Sequence, residues 1–129
     1  MQEKQLLAMQ KKMQIIRLFD FYGNLLTENQ QDMITQHYED DLTLAEIAQA
    51  YNVSRQGVHD TLQRAVNQLF QFEEKLGLCQ QFDTTQTKLK SILTALQPLE
   101  KMTMEIPEVT KAKQIIQSII GEEGEQNGI

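Results

Sequence analysis

Tryptophan is absent from this sequence, cysteine occurs once, proline twice and glycine only six times in 129 residues. A single cysteine, Cys79, excludes an internal disulfide framework. With so little proline and glycine to punctuate it, the chain is expected to run in long helices with few sharp turns. Aromatic residues make up 6% and apolar residues 40%, the latter below the roughly 45–50% usual for globular chains. That shortfall suits thin, elongated helical packing better than a thick sheet core. No apolar stretch approaches the roughly 20 residues that span a bilayer, and the N-terminal segment interleaves Gln and Lys with its apolar residues, unlike a signal peptide. A soluble cytoplasmic protein with no membrane insertion is expected.

Catalytic and metal-binding signatures are equally scarce. His37 and His59 have no cysteine partners nearby in sequence, Cys79 has no neighbouring base, and no glycine-rich phosphate loop occurs. Acidic pairs such as Asp40-Asp41 suit a solvated turn rather than acid–base machinery. Neither an enzyme nor a bound cofactor is expected.

What is present is charge, unevenly spread. The net charge is −6. Residues 1–22 set Lys4, Lys11, Lys12 and Arg17 against Glu3 and Asp20, and so are basic. Residues 23–64 carry only Arg55 and Arg64 against Glu28, Asp32, Glu39, Asp40, Asp41, Glu46 and Asp60. The most acidic stretch is therefore the one that holds the chain's clearest motif, whereas proteins that neutralise phosphates normally place a basic patch there.

Hydrophobic periodicity predicts a first helix over residues 5–22, with Met9, Met13, Ile16 and Phe19 on its inner face and a turn around Gly23 and Asn24. Thr27-Glu28-Asn29-Gln30 forms a capping box opening a second helix with Met33, Ile34 and Tyr38 inward, ended by Glu39-Asp40-Asp41. Beyond residue 78, helices are predicted over residues 80–97, ended by Pro98, with Leu89, Ile92, Leu93 and Leu96 on one face, and over 108–120, with Val109, Ala112, Ile116 and Ile119. Residues 98–107 make a linker in which Met102 and Met104 could be exposed. The three expected parts are a domain at 1–78, a helical extension at 79–121 and a disordered tail at 122–129, glycine- and glutamate-rich with little to bury. The two C-terminal helices are apolar on one side, and a homodimer would give that side a partner.

The centre of the chain, TLAEIAQAYNVSRQGVHDTLQR, reads as a helix-turn-helix. Thr43-Leu44-Ala45-Glu46 is a second capping box. Leu44, Ile47 and Ala48 turn inward, and Asn52 tolerates the left-handed conformation a helix end requires. Val53 can plug the turn, and Ser54 is a good N-cap for a helix from Arg55 to about Leu76. On a helical wheel Val58, Leu62, Ala65 and Leu69 form the buried side. Gln56, Asp60, Gln63 and Asn67 face outward, flanked by His59 and Arg64. Gln56 and Gln63 are suited to adenine edges and Arg64 to guanine or phosphate. Asp60, near the middle of the stripe, would confront a negative groove. The candidate contact residues are Arg55, Gln56, His59, Asp60, Gln63 and Arg64, for nucleic acid or for a protein partner.

The run LFDFYGNLLTENQ, followed by HYEDDLTLAEIAQAYNVSRQGVHDTLQR and FEEKLGL, resembles the YlxM-like family of helix-turn-helix proteins from Gram-positive bacteria. It covers about residues 15–78; the C-terminal 50 residues resemble the family only in being helical. The resemblance implies an all-α fold, a sigma-region-4-like helix-turn-helix domain with additional N- and C-terminal helices. It also implies a link to the signal recognition particle, through its RNA or its GTPase subunit. Sequence-specific binding to DNA is the alternative. Gly57, His59 and Thr61 stand where the family pattern has Ala, Tyr and Asn.

Overall fold

Side-chain caps mark the helix starts at Glu28, Leu44 and Arg55. In the computed structural model, which describes residues 2–101 and 106–128 and side chains only as far as residue 121, the described residues form six α-helices. These are α1 (Gln2–Tyr22), α2 (Glu28–Ile34), α3 (Leu44–Tyr51), α4 (Arg55–Leu76), α5 (Leu78–Glu100) and α6 (Pro107–Gly128). A 3₁₀ turn at Gly23–Leu25 follows α1, and a π-helical turn at Thr35–Glu39 follows α2. Both capping boxes form: Thr27 with Gln30 and Thr43 with Glu46, each hydroxyl accepting from the N3 backbone while the N3 side chain accepts from the cap residue's N–H. Ser54 Oγ accepts from Gly57 N–H at 2.9 Å and opens α4.

The chain divides into two compact units, residues 1–79 and residues 80–129. In the first, α4 packs against α1, α2 and α3. Its core comprises Ile15, Leu18 and Tyr22 of α1, Leu26, Met33 and Ile34 around α2, Ile47 and Ala48 of α3, and Val58, Leu62, Ala65, Val66 and Leu69 of α4, with Cys79 at its margin. Gly23 is required where it stands: a Cβ there would lie 2.9 Å from the Phe19 ring. Asp41 adopts a φ of 58°, and its carboxylate pairs with Lys12 at 2.6 Å, tying the loop to α1.

Several expectations change. The inner face of α1 is Ile15–Leu18–Tyr22, whereas Met9 and Met13 are 60% and 64% exposed. Two apolar faces overlap in this segment, and the docking of α1 on α4 selects the second. Val53 does not plug the turn; it is 48% exposed, because the left-handed Asn52 (φ 55°, ψ 45°) directs the chain outward while Val53 N–H closes on Ala48 C=O at 3.0 Å. Pro98 does not end its helix but lies inside α5, in the last turn before Glu100. Proline disrupts the turn behind it, and here that turn is exposed and nearly at the helix end. Pro107, expected as a linker boundary, occupies the first position of α6, where its missing N–H costs nothing.

The second unit follows its predicted pattern loosely. Leu89, Leu93 and Leu96 are half-buried, but Ile92 is 46% exposed. Ile116 is buried, whereas Ile119 is 41% exposed. Helical backbone is described as far as Gly128, within the segment expected to be a disordered tail from residue 122; Ile129 lies outside the described residues. So do Met102 and Met104, expected to be exposed in the linker.

Candidate nucleic-acid or partner interface

The helix-turn-helix presents one long solvent face. Burial of Val58, Leu62, Ala65, Val66 and Leu69 against α1–α3 turns Arg55, Gln56, His59, Asp60, Gln63, Arg64 and Asn67 outward, and all seven are exposed. Within this face three of the candidate residues converge. Gln56 Nε2 donates to Asp60 Oδ1 at 2.9 Å, and His59 Nδ1 lies 3.5 Å from the same oxygen. The amide expected to read a base is thereby tied to the one carboxylate of the stripe. Arg55, Gln63 and Arg64 are not drawn into that cluster.

Three carboxylates of the motif are engaged locally, one of them by a cation. Glu46 accepts from the Thr43 N–H in its capping box. Asp41 is paired with Lys12, whose ammonium holds the carboxyl below its usual range. Asp60 is occupied by Gln56.

A feature absent from the sequence expectations lies beside this face. A groove of about 530 Å³ runs between α1 and α4. Gln63 and Asn67 line it from α4, and Gln10, Lys11 and Gln14 from α1, above Val66 and Phe70. The glutamines at 10 and 14, one helical turn apart, carried a signal, but nothing local paired them with α4.

Elsewhere, His37 packs edge-on against Tyr38 with ring centroids 4.9 Å apart, and its Nδ1–H donates to the Leu42 carbonyl at 2.9 Å. Burial, with the Glu73 carboxylate nearby, pushes the Cys79 thiol up to about 11, so at neutral pH it stays protonated and weakly nucleophilic. Among the described residues no three His, Cys, Asp or Glu side chains are arranged to hold a metal. No helix in the described residues is long and apolar enough to cross a membrane.

A family model for helix-turn-helix proteins of the YlxM / p13-like type, UPF0122, matches residues 9–119. A UPF0122 protein of Desulforamulus reducens is 46% identical over 104 residues, covering 80% of this chain and 87% of that protein. One from Bacillus velezensis is 42% identical over 108 residues, covering 81% and 98%. One from a Thermoanaerobacter species is 40% identical over 110 residues, covering 85% and 91%. The similarity thus extends past residues 15–78 into α5 and α6, further than the sequence runs that first carried it.

Proposed function

The chain belongs to the YlxM/p13-like family of helix-turn-helix proteins, and on that premise we propose that it is a cytoplasmic accessory protein of the signal recognition particle pathway. It binds the particle's RNA, its GTPase subunit or both, through the outward face of α4. The observation that supports this is the state of that face. Asp60 sits mid-stripe and holds Gln56, in a segment where seven acids outnumber two arginines, so the surface is poorly suited to a long run of duplex phosphates. Gln63 and Arg64 are left as polar contacts for a partner that brings charge of its own. Titrating the labelled protein separately with purified particle RNA and purified GTPase subunit tests this. Saturable binding to at least one is expected, with the Gln63→Ala/Arg64→Ala pair weakening it about tenfold. Silence toward both at micromolar concentration and modest salt overturns it.

A second reading, a sequence-specific DNA-binding regulator, draws on one observation. Gln63 and Arg64 are exposed on the helix that, in DNA-binding helix-turn-helix proteins, enters the major groove. It requires duplex affinity that falls steeply with salt. Recovering DNA and RNA bound to the protein in cells, in parallel, separates the two readings.

We also infer that a second copy of the chain covers the apolar surface of the second unit. Among the described residues that unit buries Ile116 alone, leaving Ile92, Ile115 and Ile119 between 41% and 53% exposed. Two helices with so small a core gain stability by association.

A further inference from the structure

We propose that the groove between α1 and α4 seats an unpaired base of single-stranded RNA, a proposal that rests on the reading above that particle RNA is a partner. Four carboxamides face it in two ladders, Gln10 with Gln14 and Gln63 with Asn67, each pair one helical turn apart. A carboxamide offers a donor and an acceptor side by side without charge. That arrangement matches the edges of nucleobases and leaves a neighbouring phosphate unrepelled.

The state of these amides supports the assignment. Gln30, Gln31 and Gln56 are each engaged in hydrogen bonds within the protein. Among the described residues the four groove amides make none. Val66, 7% exposed, and half-buried Phe70 supply an apolar floor against which the face of a base can lie. The volume of about 530 Å³ falls within the roughly 300–1,000 Å³ of ligand clefts.

Charge favours an anionic ligand such as RNA over an uncharged peptide segment. No carboxylate lines the groove, although the chain carries 18 acids against 12 bases. Its single charged lining residue is Lys11, which makes no ion pair among the described residues, whereas Lys12 beside it is held by Asp41. A phosphate following the seated base would use that cation; a neutral peptide backbone would not. A duplex is unsuited, because its base edges are already paired and its width exceeds the space between two packed helices.

The test uses the full-length protein with a fluorescein-labelled, short single-stranded RNA of mixed sequence and a fully paired RNA of the same length, read by anisotropy. The single strand is expected to bind more tightly. The Gln14→Ala/Asn67→Ala double variant should weaken it about tenfold, with its thermal melt unchanged. Gln30→Ala, which removes an amide hydrogen-bonded to Gln68, should leave affinity unaltered. Lys11→Gln should lower the slope of log affinity against log salt by about 0.7, the signature of one lost phosphate contact on a single strand. Wild-type affinity in the double variant, or tighter binding to the duplex, overturns the proposal. Loss of GTPase-subunit binding in that variant with RNA binding intact also overturns it, and assigns the groove to a protein partner. A double variant that keeps full affinity for purified particle RNA removes the groove assignment alone, whereas failure of the wild type to bind any particle component removes the accessory function itself.

Discussion

Tyr22 shows how much one buried polar side chain coordinates. At 1% exposure, its hydroxyl donates to Glu73 Oε1 at 2.6 Å and accepts from Leu78 N–H at 3.0 Å, while the same Glu73 oxygen accepts from Cys79 N–H at 3.0 Å. The end of α1, the end of α4 and the first residues of α5 meet on these three bonds. Tyr22→Phe keeps the ring, which packs 5.9 Å from Phe72, but removes the hydroxyl from both partners. A loss of about 2 kcal/mol in urea unfolding at neutral pH is expected; no change would mean the bonds are made no better than those to water. Burial, then Glu73, raises the phenol above its ordinary 10.0. Its contribution is therefore complete below that pH and lost as pH climbs through the raised value, so the deficit of the Phe variant should narrow in alkali. Cys79, pushed to about 11 by burial and Glu73, acts in the same direction.

Among the elements, the turn between α3 and α4 is decided by one backbone conformation. Asn52 at φ 55° ends α3, and Ser54 two residues later caps α4. Asn52→Ala places a residue with no compensating side-chain polarity in the left-handed region and should cost about 1 kcal/mol, while Asn52→Gly should stay within a few tenths. Thermal melts of the two variants check this, and an alanine variant as stable as the glycine one would remove the left-handed cap as a determinant of the turn. Gly57, in the first turn of α4, has its own local constraint. A Cβ there would approach Ser54 Oγ to 3.1 Å, the atom that caps the helix, so an alanine at this position would crowd the cap that this glycine leaves open. Helix ends set by such local bonds differ from the fate of Pro98, where an exposed last turn absorbed a residue that ordinarily stops a helix.

On the scale of the whole molecule, the two units have different relations between apolar content and burial. The first surrounds α4 with three helices and closes a core from fourteen buried residues, whereas the second leaves isoleucines at the surface. If a second copy covers them, sedimentation at rising concentration should show a dimer, and the Ile115→Asp/Ile119→Asp variant should shift it to monomer. Both side chains are exposed in the single chain, so the variant should keep its helical circular dichroism. A wild-type protein that remains monomeric at every concentration overturns the inference. Charge is distributed on the same scale: a basic α1 lies against an acidic helix-turn-helix, and Lys12–Asp41 is one point where the two signs meet.

The sequence alone determined the helix-turn-helix. Thr27 with Gln30, Thr43 with Glu46 and Ser54 with Gly57 are capping partners three residues apart, so each bond is settled within one turn, before any tertiary contact. The same locality made Asn52 legible as a left-handed helix end and placed Val58, Leu62, Ala65 and Leu69 inward along a single helix. Only the tertiary structure decided which face of α1 is buried, where Val53 points, and that Gln10 and Gln14 share a groove with Gln63 and Asn67. Those outcomes depend on residues some fifty positions apart meeting across α1 and α4. No periodicity within one segment encodes that meeting, because the rotation of one helix about its axis is set by the helix it packs against.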